Sequence, residues 1–231
     1  VAFPETHRSV VAAVRSADRG ERTRAFDAIV SAYWQPVRRH LRARFGFPEE
    51  DAKDLAQGFF TSMLERETLE QFDPEKGRFR SYLLACLDAF AQNERRRVSR
   101  LKRGGGAIHV SLEDSGEEGI VDARSLESEF QREWAKSLFS IAVEALRVRC
   151  HGTPKEVAFA LLERYDLEGD DTKSYAELAQ EYGVSVSQVT NHLSWARRAF
   201  REEVLRALRG ITASEEEFRS EARILLGADD P

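Results

Sequence analysis

The chain has 231 residues, 42% hydrophobic and 32% charged, a length that supports one or two modest cores and excludes a single large one. No apolar run approaches the roughly eighteen residues of a membrane span, and residues 1–15 lack the basic opening and long apolar core of an export signal. A formal net charge of −5 excludes a uniformly phosphate-seeking surface, so any nucleic-acid contact must come from local clusters of Lys and Arg.

Residues 1–20 show weak periodicity and end in the breaker Asp18-Arg19-Gly20, which predicts a loosely attached N-terminal arm or a short helix. A first domain over 21–104 follows. Phe26, Ile29, Val30, Tyr33, Trp34, Val37 and Leu41 form a helical stripe with a kink expected at Pro36, and Gly46-Phe47-Pro48 ends it. In the next segment Ala52, Leu55, Ala56, Phe59, Phe60, Met63 and Leu64 read as one continuous buried face, with Asp51, Asp54, Gln57, Gly58 and Thr61 on the other side. After the turn at Phe72 to Gly77, Phe79, Tyr82, Leu83, Cys86 and Phe90 point inward along a third helix. That helix then leaves its core and becomes basic. Arg95, Arg96, Arg97, Arg100, Lys102 and Arg103 are six basic residues without an acidic one, up to the stop at Gly104-Gly105-Gly106, as expected of a rod that follows phosphates.

Residues 105–130 read as an acidic linker without periodicity. Between Glu113 and Glu133 eight acidic residues face two basic ones, a local charge of −6. Opposite local charges on nearby segments predict a salt-screened contact between Glu113, Asp114, Glu117, Glu118 and the basic cluster. A second domain over 131–210 opens with Trp134, Leu138, Ile141, Ala145 and Val148 as a narrow apolar seam. Thr153-Pro154-Lys155-Glu156 reads as a capping box that opens a further helix through Tyr165.

The segment 174–200, SYAELAQEYGVSVSQVTNHLSWARRAF, carries the most functional information. Ser174 with Glu177 and Ser185 with Gln188 make two capping boxes eleven residues apart, room for one short helix and a turn. Ala179 allows close crossing, Gly183 supplies a positive φ, and Leu178, Val184, Val189 and Leu193 fall inward. This is the pattern of a helix-turn-helix DNA reader. A tail over 211–231 has amphipathic helical spacing at Phe218, Ala222 and Leu225.

The fold expected is all-α, in two small helical domains. Cys86 and Cys150 lack metal-ligand spacing and read as buried free thiols in a reducing cytoplasm. His7, His40, His109, His151 and His192 are scattered, no Gly-rich phosphate loop follows a strand, and no Ser or Cys nucleophile has an arranged partner. No enzyme activity, metal or cofactor is therefore expected.

Three pieces in order, EEDAKDLAQGFFTSML, FDPEKGRFRSYLLACL and the helix-turn-helix segment, make the chain resemble bacterial sigma factors of the extracytoplasmic-function type, in a divergent subgroup with a C-terminal tail. The resemblance implies a region 2-like bundle and a region 4-like domain that together bind core RNA polymerase, recognise −10 and −35 promoter elements and promote melting. It implies Asp51, Asp54, Gln57 and Phe60 as contacts to the β′ clamp helices, with the β flap as a second polymerase contact. Asp73, Lys76, Arg78, Phe79, Arg80 and Tyr82 would capture and melt the −10 element, with Asn93, Arg95, Arg96 and Arg97 on the nearby backbone. Ser187, Gln188, Thr190, Asn191, His192 and Trp195 would face the −35 element, with Arg197, Arg198 and Arg201 near phosphates. It further implies a linker in the polymerase's RNA channel, and an anti-sigma factor or other inhibitor as a partner. The chain departs from the family in having Tyr82 where Trp is usual, Ala89 where Asn is common, and Thr190, His192 and Trp195 where Lys or Arg is usual. Val189 to Leu193 also resembles the recognition helix of LuxR-type activators, which lack a counterpart of 49–97. A polymerase-binding protein without promoter activity is a further reading.

Overall fold

The computed structural model describes residues 13–14, 16, 18–66, 68–104, 123–168 and 173–227. Most of the expected arm and the linker carboxylates Glu113, Asp114, Glu117 and Glu118 lie outside the described residues, and with them the expected contact between linker and basic cluster. Among the described residues there are eight α-helices and no strand, so the fold is all-α. In chain order they are α1 Arg19–Phe45, α2 Glu49–Glu65, α3 Phe79–Gly104, α4 Ala123–Cys150, α5 Glu156–Leu162, α6 Tyr175–Tyr182, α7 Val186–Arg209 and α8 Glu215–Leu226. The chain divides into two compact units, 1–137 with 210–231, and 138–209. The tail helix α8 thus belongs to the first unit, and the division falls inside α4.

In the first unit, Asp18 begins a helix where the sequence suggested a break. Its carboxylate accepts the Gly20 and Glu21 amides at 2.7 and 3.3 Å, an N-cap that serves two of the orphan donors of the first turn. The helix continues through the buried Pro36 and stops at Gly46, whose φ of 69° lies in the left-handed region. Ile29, Tyr33, Val37 and Leu41 are buried as the stripe predicts. His40 is buried too, with Nε2 2.7 Å from Asp88 Oδ1 on α3, a tie between distant segments that neither local pattern announces.

On α2, Ala52, Ala56, Phe59, Phe60 and Met63 are buried, but Leu64 is 51% exposed. The expected apolar face therefore ends a residue earlier. Tyr33 meets Phe79 edge-on at 5.8 Å and stacks with Phe130 and Trp134 of α4, so rings from three helices form the centre of this unit. Each such ring pair adds about 0.5–1.5 kcal/mol beyond the area it buries.

The buried row of α4 is Leu126, Phe130, Trp134, Leu138, Ala142, Leu146 and Cys150. It replaces the expected seam through Ile141, Ala145 and Val148, of which Val148 is 69% exposed. A spacing of four in a helix of about 3.6 residues per turn advances by about 40° each step, so the row winds around the helix and leaves the alternating register. Glu133, expected near the end of the acidic run, is buried on α4 and pairs with Arg39 and Lys136.

The second unit has two apolar clusters. One gathers Leu146, Cys150, Ala158, Phe159, Leu162, Ala196 and Ala199; the other gathers Leu161, Leu178, Ala179, Val189 and Leu193. The capping box expected at Thr153 does not form. Thr153 Oγ1 donates to the Cys150 carbonyl at 2.6 Å, while Glu156 turns to His151 and cannot reach back. A turn therefore precedes α5, whose last residues pass into one π-type turn at Glu163–Leu167.

Candidate functional site

The polar side of α2 is built by helical spacing alone. Asp51, Asp54 and Gln57 are exposed at intervals of three, while Ala52, Ala56 and Phe59 anchor the opposite side. Phe60 does not belong with them. It is 4% exposed and stacks on Trp34 at 6.0 Å, so its ring supports the helix from within and offers no surface to a partner.

The segment from Asp73 to Tyr82 is more enclosed than its sequence suggests. Asp73 caps a short 3-10 turn by accepting the Glu75 amide at 3.1 Å, and Lys76 and Arg78 are exposed beside it. Phe79 is fully buried and Arg80 is 5% exposed. Tyr82 donates its hydroxyl to the Thr68 carbonyl at 2.7 Å; burial, with Cys86 beside it, pushes its phenol up to about 12. Phe79, Arg80 and Tyr82 are therefore parts of the packing that holds the loop, and the accessible groups are those at 73–78. Cys86 is half-buried and Cys150 buried; both are free, and burial pushes both thiols up.

Beyond the core, α3 presents Asn93 and Arg95 through Arg100 to solvent. Arg97 pairs with Glu94 at 2.8 Å, Arg100 bonds the Arg96 carbonyl, and Arg95, Arg96, Ser99 and Arg100 line an open groove. The continuous helix through Gly104 keeps these side chains on a rigid support.

In the second unit both capping boxes of the helix-turn-helix are present. Ser174 and Glu177 exchange bonds at 2.7 and 3.3 Å, and Ser185 and Gln188 at 2.7 and 3.2 Å. Gly183 ends α6 with φ 65° and ψ 33°. Ser187, Gln188, Thr190, Asn191 and Arg198 are exposed on α7, opposite buried Val189, Leu193 and Ala196. Ser194 shares that exposed stripe, three residues after Asn191. Its spacing was the available signal, and sequence reasoning passed over it.

Other predicted groups here are already engaged. Gln188 Oε1 holds the cap of its own helix. Trp195 is half-buried against the first apolar cluster, with Lys155 Nζ 4.6 Å from its ring. Arg197 forms a two-bond pair with Asp166, both distances 2.8 Å, which raises its pKa further. His192 and Arg201 are half-buried. Asn191 and Arg198 thus stand out as an accessible amide and an accessible cation on one face.

A family model for ECF sigma factors matches residues 7–206. The chain belongs to the ECF sigma factor family. No curated protein and no solved structure matches it. ECF sigma factors act in transcription initiation with core RNA polymerase and promoter DNA. The match includes 49–97, the stretch that separates this sigma factor from LuxR-type activators, and it ends before α8. Among the described residues no helix of the sigma factor is long and apolar enough to cross a membrane, and no group of His, Cys, Asp and Glu is placed to hold a metal.

The tail helix adds a feature that no local pattern indicated. Glu217 and Glu221, four residues apart on one face of α8, are 9% and 1% exposed. Glu217 accepts the Phe79 amide at 2.6 Å, and Glu221 accepts Arg80 Nη1 at 2.9 Å. Arg80 also lies over the Trp134 ring, 4.6 Å from its centroid.

Proposed function

We propose that this sigma factor binds core RNA polymerase through Asp51, Asp54 and Gln57, recognises a promoter at two elements and assists melting, while the polymerase carries out the chemistry. The observation that carries the reading is the exposed acidic strip of α2, set on a helix whose opposite face is packed through Ala52, Ala56, Phe59, Phe60 and Met63. Carboxylates on such a rigid face suit a basic helical partner, here the β′ clamp helices, because complementary charge sets encounter rate and register. The β flap is the partner assigned to the second unit.

The loop 73–78, with Lys76 and Arg78 exposed, is the part of the first unit that meets the −10 strand. Asn93, Arg95, Arg96 and Arg97 follow its backbone. The enclosed Phe79, Arg80 and Tyr82 shape that loop from beneath. On α7, Asn191 reads a base edge; an amide can bond adenine in bidentate fashion. Ser187, Thr190 and Ser194 flank it and Arg198 contacts phosphate. With Gln188, Trp195 and Arg197 engaged within the unit, the −35 contact is narrow and lightly charged. A cytoplasmic location and an inhibitor partner belong to the same reading.

Reversing both acids tests it. Asp51→Lys with Asp54→Lys leaves every buried residue of α2 in place, so helicity by circular dichroism should not change. Capture by core polymerase should fall at least about tenfold, a coupling of about 1.4 kcal/mol. Equal capture of variant and parent would remove the strip from the interface.

A further inference from the structure

Three consecutive residues at the start of α3 are held by the tail. Arg78 Nη2 donates to Ser220 Oγ at 2.9 Å, the Phe79 amide donates to Glu217 Oε1 at 2.6 Å, and Arg80 Nη1 donates to Glu221 Oε2 at 2.9 Å. Glu217 Oε2 accepts the Ala213 amide at 2.7 Å, while Ser214 caps α8 by accepting the Glu217 amide. Phe218 and Ala222 are buried between these polar contacts. The tail therefore meets this segment through an apolar patch flanked by two carboxylates.

The groups those carboxylates satisfy, a helix-opening amide and guanidinium groups, are of the kinds that suit phosphate. The first amides of a long helix carry partial positive charge, and two guanidinium groups stand next to them in sequence. The match to Glu217 and Glu221 is imperfect in one respect. Glu221 is 1% exposed, yet its Oε1 accepts no hydrogen bond, and Arg78 Nη1 stands 3.7 Å away. A buried carboxylate left short of donors weakens the docking it takes part in, because desolvation is not fully compensated. Arg80 keeps Gln131, at 3.3 Å, and the Trp134 ring as supports of its own. Release of α8 would thus leave its guanidinium positioned.

We propose that the C-terminal helix is a built-in acidic competitor for the Arg78–Arg80 segment, filling in the free protein the anion-binding groups that promoter phosphate takes when the helix is displaced. The proposal rests on the reading of 73–78 as the −10 contact and extends that contact to the Phe79 amide and Arg80 once α8 is displaced. Its consequence is that the free sigma factor binds single-stranded DNA poorly, and that binding DNA there and docking α8 exclude each other. Competition of this kind also makes DNA affinity depend on residues 215–226, which lie outside the family match.

The test uses the full chain and a mixed-sequence single-stranded DNA oligonucleotide. Hydrogen–deuterium exchange is followed in 215–226 and at the Phe79 amide, with and without saturating oligonucleotide. Exchange should accelerate by about tenfold in 215–226, a coupling usual between linked sites, while the Phe79 amide passes from carboxylate to phosphate and stays protected. The double variant Glu217→Gln, Glu221→Gln should bind the oligonucleotide about tenfold tighter at low salt, a gain that shrinks at high salt. A tail that stays equally protected in the DNA complex would overturn the proposal, as would a folded double variant with unchanged affinity. Exchange on the unmodified chain decides the matter should the double variant not fold. Polymerase capture is measured in parallel. Capture and promoter-directed transcription with a tail that remains docked would sink this inference and leave the sigma-factor reading standing, whereas loss of capture would sink that reading instead.

Discussion

Glu217 places a carboxylate where both of its oxygens accept main-chain amides, from Phe79 and Ala213. Burial pushes its carboxyl above the usual range, the two amides pull it down, Glu221 adds to the rise and Arg80 opposes it. The buried Tyr33 hydroxyl is coupled to the same charges, and its burial raises its own pKa. A carboxyl with a folded pKa above its unfolded one is bound more tightly to its proton in the folded chain. Its stabilisation is therefore complete below the unfolded value and is lost as pH rises through the folded one. Glu217→Gln removes this titration, at the cost of setting an amide N–H₂ against one main-chain donor. Urea unfolding of parent and variant across acid to neutral pH should show the parent's relative stability declining as pH rises. A relative stability that rises with pH would mean that the backbone hydrogen bonds outweigh burial.

At the scale of elements, α7 separates two kinds of contact on one exposed stripe. Asn191→Ala should cost about 1–3 kcal/mol of discrimination at one base pair, whereas Arg198→Ala should weaken all sequences alike and lower the salt dependence. Measured on the full chain with duplexes varied one pair at a time, an Asn191→Ala protein with the parent's base preference would remove the amide from readout. The helices that carry these groups were legible because their signals are local: Ser174 with Glu177, Ser185 with Gln188 and Gly183 each act within a few residues of chain. The same is true of the acidic strip on α2 and of the basic end of α3. What stayed hidden depends on which distant element lies above a residue. Phe60 is on the buried face by its spacing yet a polymerase contact by resemblance, and the covering Trp34 decides for the first; Arg197 reads as a phosphate ligand until Asp166 arrives, and Arg80 reads as a surface cation until α8 brings Glu221. Val148 fell outside the core because a spacing of four and an alternation of four and three both fit α4 over its first few residues, and only packing distinguishes them. The capping box at Thr153 is a local signal that fails, because α5 starts at Glu156 itself and the Glu156 carboxylate meets His151 at 3.3 Å.

For the whole molecule, charge is arranged by location although the net value is −5. An exposed acidic strip on α2, an exposed basic stretch on α3 and a sparsely charged reading face on α7 serve three different contacts in the proposed account. Membership of the ECF sigma factor family, with a match over 7–206, accounts for the order of these pieces, and α8 adds a carboxylate-bearing element beyond it. The central claim is that this chain gives core RNA polymerase the ability to start at particular promoters. Core polymerase incubated with and without the full chain, on a supercoiled library of genomic promoter fragments, tests it most directly when transcript 5′ ends are sequenced. The account predicts a set of start sites that require the chain, share two spaced upstream elements, and disappear with Asp51→Lys, Asp54→Lys. Start sites unchanged by the chain, despite its capture by the polymerase, would contradict the claim and favour a polymerase-binding protein without promoter activity.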